Sequence, residues 1–460
     1  MSQLSISRLV AYDTFVAVMD QGKAPDPTIE SLIAASDRKV SRQDRNLIKE
    51  MVYGSLRWYS KIFWILQNTA NRNLKESTPE IRAALVLGTY QIFYLERVPD
   101  RAAVNESAEY IRVKGQANAV KFVNGILRQI ARRAEYFQKP DKEKQKLDYL
   151  ALQFAHPRWI VERWLPIHKA SRTEAMLVAN NQPPPHTIRV NLSKTATNET
   201  HLLQQKMLKQ ERTHTEKRPL RSALRCKESP TLDPASLFSQ GEYTIQDEAS
   251  QLIGFLVNPQ PGETIVDACS GPGGKLTHMV ELLHGEKAQI TAIEKDDEQL
   301  RRAKENVDRL GHTGKVEFQQ CDFLEYKPDA KVDKILLDAP CSGLGVLRRH
   351  PEGKWHKKLE LVHKMSALQK KMIDHALSLL KKDGELIFSV CSYEKEETLD
   401  HVSRLEREWG DKLELISPTT RLADYYKKYV TRENFLLVYS GNQDSMDGFG
   451  AFILKLKETG

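Results

Sequence analysis

Residues 264–275 read TIVDACSGPGGK, a short apolar run followed by a glycine-rich turn. The run predicts a strand, and the turn leads into a predicted helix that begins at Lys275. Further along, apolar runs of strand length alternate with helical patterns, which predicts a mostly parallel sheet with helices on both faces. The predicted strands are 264–268, 289–293, 316–319, 334–338 and 385–390. Since ligands of such folds lie at the carboxyl ends of the strands, the residues after each run are candidate site residues.

The glycine-rich turn lets backbone N–H groups approach a ligand closely, and the helix after it favours negative charge at its N-terminus. Two known glycine loops do not match it. A phosphate-binding P-loop that ends at Lys275 requires glycine at position 269 and Ser or Thr at 276, but the sequence has Cys269 and Leu276. A dinucleotide fingerprint that begins at Gly271 requires Gly or Ala at position 276. The turn therefore disfavours a nicotinamide cofactor.

Acidic residues follow the next two predicted strands. Glu294 stands twenty residues after Gly274, where a carboxylate can accept hydrogen bonds from two ribose hydroxyls. Asp322 follows the third strand, where its carboxylate can accept a hydrogen bond from the amino group of an adenine. Each feature alone is equally well a tight turn or a solvated acid. Together, at successive strand ends, they predict a ligand that contains adenosine.

Two cysteines follow the fourth and fifth predicted strands. Cys341 and Cys391 are expected to share a cleft at the ligand edge of the sheet, whereas Cys226 and Cys321 read as small buried hydrophobes. A thiolate can attack C6 of a pyrimidine, which makes C5 electron-rich enough to take a methyl group from a sulfonium. Asp338, beside this pair, is expected to hydrogen-bond the pyrimidine and stabilise the adduct.

The N-terminal part, residues 1–138, is predicted to be an all-helical bundle, because its prolines lie between the periodic segments. Its last helix, about 118–133, places Lys121, Arg128 and Arg132 on one face. This face is either a solvated basic surface or a contact for phosphates.

A polar segment, residues 139–150, predicts a linker between the bundle and the rest of the chain. Residues 151–240 suit a small basic α/β module, and residues 241–460 hold the alternating strands and helices. Charge divides in the same way: +7 in residues 1–140 (21 positive, 14 negative), +7 in 151–240 (14 and 7) and −6 in 241–460 (31 and 37). This division predicts that one part binds an anion while another does the chemistry.

Motifs over nearly the whole chain resemble the Sun family of RNA cytosine-C5 methyltransferases, which use S-adenosyl-L-methionine. The resemblance rests on DACSGPGGK (267–275), LLDAPCSGLGVLRRHP (336–351) and VCS (390–392). Other segments resemble a bacterial branch of that family, which acts on 16S ribosomal RNA and carries a NusB-like RNA-binding domain. These are VYGSLR (52–57), RVPDRAAVNESAEY (97–110), KFVNGILR (121–128), PPPHTIRVN (183–191) and YTIQDEASQL (243–252). The resemblance implies a NusB-like bundle, a small α/β module and a Rossmann-like class I methyltransferase domain.

The resemblance also implies roles for single residues. The family nucleophile maps to Cys391, and the cysteine that assists product release maps to Cys341. The implied cofactor contacts are Cys269, Ser270, Gly271, Pro272, Gly273, Gly274, Lys275, Glu294, Asp322 and Asp338. The sequence departs from the family at three places without losing a reacting group. Val390 replaces the usual Thr beside the nucleophile, Glu294 replaces the commoner Asp, and Ser270-Gly271 replaces a frequent Ala-Ala.

The implied substrate is 16S ribosomal RNA or an early small-subunit precursor, bound by a protein expected to be a monomer. RNA contacts are predicted for Lys121, Arg128, Arg132, Arg348 and Arg349. No apolar run exceeds five residues, no secretory signal is recognised, and the five cysteines and thirteen histidines lack the spacing of metal ligands. These patterns predict a cytoplasmic protein without a membrane helix or a metal site.

Two other functions stay open at this point. One is an RNA-binding or antitermination factor of NusB type whose C-terminal domain has lost catalysis. The other is an amino-group methyltransferase, which is expected to carry an Asn/Asp-Pro-Pro-aromatic tetrad where this chain has Asp338-Ala-Pro-Cys341. The same cytosine chemistry on a different RNA is a third alternative.

Overall fold

The computed structural model describes residues 4–133, 140–194, 200–230 and 232–457. Its α-helices are α1 (Ile6–Gln21), α2 (Pro25–Ala34), α3 (Arg42–Thr69), α4 (Pro79–Tyr94), α5 (Asp100–Val113), α6 (Val120–Arg133), α7 (Lys146–Gln153), α8 (Arg158–Asn180), α9 (Thr200–Glu211), α10 (Glu248–Val257), α11 (Gly274–Leu282), α12 (Asp297–Arg309), α13 (Gly353–His356), α14 (Leu359–Leu379) and α15 (Leu399–Trp409). Its strands are β1 (His186–Val190), β2 (Thr215–Lys217), β3 (Ala223–Cys226), β4 (Tyr243–Ile245), β5 (Thr264–Asp267), β6 (Gln289–Ile293), β7 (Glu317–Gln319), β8 (Val332–Asp338), β9 (Leu380–Val390), β10 (Leu413–Ile416), β11 (Leu436–Val438) and β12 (Phe449–Leu456).

The chain forms two compact units. The first contains Met1–Gln182 and Leu347–Lys357, and the second contains Pro183–Val346 and Lys358–Gly460. The predicted limits of the domains stay a prediction. Of the predicted linker, residue 139 lies outside the described residues, and α7 begins within the linker's second half.

The first unit is helical where it is described, as the sequence predicts. Helix α3 begins at a capping box, in which Ser41 Oγ accepts from Asp44 N at 3.1 Å and Asp44 Oδ2 accepts from Ser41 N at 3.0 Å. The helices bury one shared apolar core that includes Val52, Leu85 and Ile126. Burial of these apolar side chains away from water is the main source of stability for the bundle.

The segment Leu347–Lys357 belongs to this helical unit, although in the sequence it follows β8 and Cys341, which belong to the second unit. Lys354 is fully buried, and its ammonium donates to three oxygens. The acceptors are Arg57 O (3.1 Å), Ala155 O (3.2 Å) and Asn181 Oδ1 (2.5 Å). Burial lowers the pKa of Lys354 well below its ordinary value, and the nearby charge of Arg57 lowers it further. The segment is therefore anchored by the buried side chain of Lys354.

The second unit contains two sheets. The smaller sheet is antiparallel, has the order β2-β3-β1-β4, and packs with α9 around a core of its own. That core includes Ile188, Val190, Leu203, Met207 and Leu224. Strands β1 to β4 and helix α9 agree with the small α/β module that the sequence predicts for this region.

The larger sheet has the order β10-β12-β9-β8-β5-β6-β7, and β11 pairs with β12. Strands β5 to β9 are parallel, whereas β12 pairs antiparallel with β9, β10 and β11. The strand order changes direction at β5: the chain adds β6 and β7 on one side of β5, and then adds β8 and β9 on its other side. This topological switch point is where a doubly wound sheet binds its ligand. The sheet confirms the predicted Rossmann-like fold.

Candidate active site

The glycine-rich turn lies between β5 and α11 at the carboxyl edge of the larger sheet. Gly271 and Gly273 have φ of +50° and +82°, in the left-handed region that favours glycine. A Cβ on Gly273 would lie 3.2 Å from Ala303 Cα, so α12 approaches the turn closely. Ser270 N donates to Ile293 O at 3.0 Å, which ties the turn to β6. The loop is thus held in one conformation by backbone contacts.

Glu294 follows β6 and braces this turn. Its Oε2 accepts from Gly271 N at 2.9 Å, and its Oε1 accepts from Asp296 N at 3.0 Å. Asp322 follows β7, has a side chain that is 44% exposed, and accepts from Leu324 N at 3.0 Å. Both predicted acids therefore lie at the same sheet edge, each with one carboxylate fixed by backbone amides and with lone pairs left over.

Asp267, the last residue of β5, is a candidate that the sequence reasoning missed. It is 1% exposed, and neither carboxylate oxygen has a hydrogen-bond partner among the described residues. Burial raises the pKa of Asp267 to about 7, and the neighbouring charge of Asp338 contributes to the rise. A buried carboxylate without a partner is expensive, which marks this position as a site for a cation. The signal available in the sequence was an acid at the end of an otherwise apolar strand.

Asp338, the last residue of β8, has partners on both oxygens. Lys275 Nζ donates to Oδ2 at 2.6 Å, and Ser389 Oγ donates to Oδ1 at 2.7 Å. The Lys275 ammonium also lies 5.0 Å from the centroid of the Phe449 ring. The side chain of Asp338 is 30% exposed, so its carboxylate is both oriented and reachable.

The two predicted cysteines come together after β8 and β9. Cys341 Sγ and Cys391 Sγ are 3.2 Å apart, without a disulfide between them. Gly345 N donates to Cys391 O at 3.1 Å, which fixes the backbone of the second cysteine. The hydrogen bond to Cys391, burial and the charge of Cys391 all raise the pKa of the Cys341 thiol well above its ordinary value. Cys341 therefore keeps its proton at neutral pH.

Cys269 lies within the glycine-rich turn but differs from this pair. Burial, followed by the charges of Asp267 and Glu294, raises the pKa of its thiol. A thiol with a raised pKa is a poor nucleophile, so Cys269 contributes to the loop through its backbone.

Arg189, on β1 of the smaller sheet, is a second residue that the sequence reasoning missed. It is fully buried and forms a bidentate ion pair with Glu281 on α11, with distances of 3.0 and 2.9 Å. Its guanidinium also donates to Gly274 O at 2.5 Å and to Thr277 Oγ1 at 2.7 Å. Arg189 thereby fixes the first turn of the helix that follows the glycine loop. The contact spans 85 or more positions, so spacing in the sequence could not reveal it.

The predicted RNA contacts fall into two groups. Lys121, Arg128 and Arg132 are all exposed on α6, as a phosphate contact requires. Arg349 is half-buried, but Arg348 is only 3% exposed. A guanidinium buried to that degree is not accessible to a phosphate in this structure, so the RNA contact of Arg348 stays a prediction that its burial does not favour.

Within the described ranges, every helix is too short or too polar to cross a bilayer. In the same part of the chain, no three side chains of His, Cys, Asp or Glu lie close enough together to hold a metal ion.

Comparison with known protein families assigns all three regions of the chain. The family model of the 16S rRNA methyltransferase RsmB/F matches residues 254–457, and that of the NusB family matches residues 5–132. A third model, the Methyltr_RsmF/B-like ferredoxin-like domain, matches residues 156–229. These matches confirm the predicted resemblance and place the glycine turn, the acids and both cysteines within the methyltransferase region.

Individual relatives match over most of the chain. The probable ribosomal RNA small subunit methyltransferase B of Bacillus subtilis (strain 168) is 30% identical over 459 residues, which cover 98% of this chain and 99% of that protein. The ribosomal RNA small subunit methyltransferase B of Enterobacter sp. (strain 638) is 31% identical, over 86% of this chain and 89% of its own. The crystal structure of PH0851 superposes with a TM-score of 0.81 at 23% identity, and covers 98% of this chain and 100% of that chain.

Proposed function

The chain belongs to the ribosomal RNA small subunit methyltransferase B family, and on this premise we propose that it methylates C5 of a specific cytosine in 16S ribosomal RNA. The observation that carries the proposal is the pair of cysteines, Cys341 and Cys391, whose sulfurs are 3.2 Å apart at the ligand edge of the larger sheet. Attack on C6 of a pyrimidine requires one thiolate, and a second thiol in contact with it can assist the reaction. An amino-group methyltransferase does not need either thiol.

S-adenosyl-L-methionine fits the residues at this edge. The molecule carries a sulfonium and an ammonium, and the buried Asp267 carboxylate has no partner of its own among the described residues. When bound, the cofactor supplies an electrophilic methyl group. The residues we assign to its binding are Cys269, Ser270, Gly271, Pro272, Gly273, Gly274, Lys275, Glu294, Asp322 and Asp338, and we add Asp267 on the ground of its unpartnered carboxylate.

The reaction that we propose begins at Cys391. Its thiolate forms a bond from Sγ to C6 of the cytosine, and the electron pair of the C5–C6 double bond moves to C5, the atom that accepts the methyl group. Asp338 hydrogen-bonds the cytosine and stabilises the adduct, since its carboxylate is held by Lys275 and Ser389. Loss of the C5 proton to a base then restores the double bond and expels the Cys391 thiolate.

Cys341 is assigned to the release of the product. Because its pKa is raised, Cys341 is a neutral thiol, and it is the donor across the 3.2 Å between the two sulfurs whenever Cys391 is ionised. Such a donor stabilises Cys391 as a thiolate, both before attack and when it leaves. Without Cys341 we expect the covalent adduct to persist.

The basic residues of the first unit are assigned to RNA. Lys121, Arg128 and Arg132 on α6, together with Arg349, are proposed to contact phosphates of 16S ribosomal RNA or of an early small-subunit precursor. Contacts of this kind position the substrate without reading its sequence. A monomer contains all the residues that this proposal uses.

The test is to incubate the protein with labelled S-adenosyl-L-methionine and unmodified 16S ribosomal RNA, then to map the modified nucleotide by nuclease digestion and mass spectrometry. A single 5-methylcytosine is expected, with none from the Cys391→Ala variant. An N4-methylcytidine or N6-methyladenosine product would support the amino-group alternative. Binding of the RNA without methyl transfer would support a non-catalytic RNA-binding factor.

A further inference from the structure

Glu397 is a fully buried carboxylate in the short turn Lys395–Glu397, which follows β9. It lies outside the set of residues to which the reaction above gives a role. Hydrogen bonds reach it from two serines in different loops. These bonds are Ser342 N to Oε1 at 2.6 Å, Ser342 Oγ to Oε2 at 2.5 Å and Ser392 Oγ to Oε2 at 2.6 Å.

The two serines have a common position: Ser342 follows Cys341, and Ser392 follows Cys391. We propose that Glu397 is the positioning residue of the two-cysteine site, which it holds together by binding the residue after each cysteine. The inference rests on the proposed cytosine chemistry, in which both thiols act on one base. One carboxylate thus joins two loops that are 50 positions apart in the sequence.

A second buried side chain extends the same clamp. Gln369 on α14 donates to Glu397 Oε1 at 3.3 Å and to Pro340 O at 2.8 Å, so the residue before Cys341 is held as well. Its amide is oriented in turn by His401 Nε2, which lies 3.1 Å from Gln369 Oε1. Burial lowers the pKa of His401 to about 4, so at neutral pH the ring is uncharged. The clamp therefore contains one charge, that of the carboxylate.

The clamp requires a carboxylate because its oxygens only accept hydrogen bonds. Two hydroxyls and two N–H groups converge on two oxygens, and this coordination offsets the cost of burying the charge. A glutamine in place of Glu397 has one oxygen and an NH₂ group, so either the N–H groups of Ser342 and Gln369 face a donor, or the hydroxyls of Ser342 and Ser392 must turn and accept. The negative charge also contributes, after Cys391 and burial, to the raised pKa of the Cys341 thiol.

The first test compares Glu397→Gln with the wild-type protein and with Asp400→Asn. Asp400 is an exposed carboxylate three residues further along, so its variant controls for the loss of one negative charge. For Glu397→Gln we expect kcat for methyl transfer to fall roughly 100-fold, the cost of a misplacement of about 1 Å between reacting groups. The KM for S-adenosyl-L-methionine is expected to stay within about twofold, because the glycine turn is untouched. A kcat equal to that of Asp400→Asn would overturn the inference.

The second test needs neither RNA nor cofactor. The rate at which iodoacetamide alkylates Cys341 is measured against pH, with the site of labelling identified by peptide mass spectrometry. The profile of Glu397→Gln is expected to shift to lower pH than the wild-type profile, because the variant loses a charge that raises the pKa of this thiol. A residue that served only to fill space would leave the profile unchanged when replaced by an isosteric amide, and that result would refute the proposal.

Variants that remove a single hydroxyl keep the inference testable if Glu397→Gln does not fold. Ser342→Ala and Ser392→Ala each remove one hydroxyl from the carboxylate, and each is expected to lower kcat by less than Glu397→Gln. Their alkylation profiles report on the clamp even when no methyl transfer occurs. If the wild-type protein makes no 5-methylcytosine but the profiles shift as described, the proposed function is wrong and the clamp is correct. If methylation is normal and no variant changes kcat or the profile, only the clamp is wrong.

Discussion

Replacing Arg189 by Met is expected to loosen the part of the fold that carries the glycine turn. The side chain and its partner Glu281 are both 0% exposed. All the hydrogen-bond partners of the guanidinium that are named above belong to the second unit. Methionine has a similar length but no charge, so Glu281 remains as a buried carboxylate without its cation. Breaking a buried pair by removing one partner costs about 3–5 kcal/mol. A loss of about 3 kcal/mol in stability changes the equilibrium between the closed and the locally opened form of this region by roughly 100-fold.

The pH dependence of this loss follows from the pKa of Glu281. Burial alone raises that pKa, but the charge of Arg189 and the hydrogen bonds around it bring it below the ordinary value. In the wild-type protein, the contribution of Glu281 is therefore present above its unfolded pKa of about 4.3 and is lost as the pH falls through the lower folded value. In Arg189→Met the charge and the hydrogen bonds of Arg189 are lost while burial stays, so the pKa rises and acid relieves the buried charge. The difference between the two proteins is expected to be largest near pH 7.5 and to shrink towards pH 5.5.

The assay is hydrogen–deuterium exchange of peptides from β5 and α11, corrected for the intrinsic rate at each pH. Exchange in Arg189→Met is expected to be roughly 100-fold faster at pH 7.5. The double variant Arg189→Met/Glu281→Met is the matched control and is expected to recover most of the protection, since an apolar pair of similar volume replaces the ion pair. Equal exchange in the single variant and the wild type would refute the reasoning. So would a double variant that is less protected than the single one.

Three further predictions concern the cofactor loop and the thiols. Gly273→Ala is expected to weaken S-adenosyl-L-methionine binding at least fivefold in calorimetry, because the residue has φ of +82° and a crowded Cβ position. The control is Gly262→Ala, which has the same φ but open space around the Cβ position, and it is expected to leave binding unchanged. Binding is also expected to strengthen roughly tenfold from pH 6 to pH 8 as Asp267, with a pKa of about 7, ionises, and Asp267→Asn is expected to flatten this profile. Cys391→Ala is expected to abolish methyl transfer, whereas Cys341→Ala is expected to accumulate protein attached to RNA, visible as a band of slower mobility on a denaturing gel; normal turnover by either variant would contradict its assignment.

The larger sheet could be predicted because its strands are short apolar runs that end at recognisable polar residues. Strand β6 has the predicted limits, 289–293, and β8 and β9 end at the predicted residues, Asp338 and Val390. The edge that collects Glu294, Asp322 and both cysteines follows from parallel topology alone, because all parallel strands end at the same side. Local pattern and sheet geometry were sufficient for that part of the site.

Other parts of the site depend on contacts that no local pattern encodes. Arg189 reads as one more basic residue of a basic module, and only the fold brings it to Glu281. Glu397 stands in a polar stretch typical of an exposed turn, yet it is fully buried because four donor groups of Ser342, Gln369 and Ser392 converge on it. Arg348 is the opposite case, since a residue of a basic segment for which the pattern predicts an RNA contact is 3% exposed in the structure. Burial of single charged side chains is decided by tertiary partners, which a sequence pattern does not contain.

The measurement that tests the central claim most directly is the identification of the covalent adduct. The Cys341→Ala variant is incubated with 16S ribosomal RNA and S-adenosyl-L-methionine, digested with nuclease and protease, and analysed by mass spectrometry. The account predicts a methylated cytidine nucleotide attached to the peptide that contains Cys391, and no such adduct in a variant that also carries Cys391→Ala. A nucleotide attached to any other residue, or 5-methylcytosine formed by the Cys391→Ala protein, would contradict it.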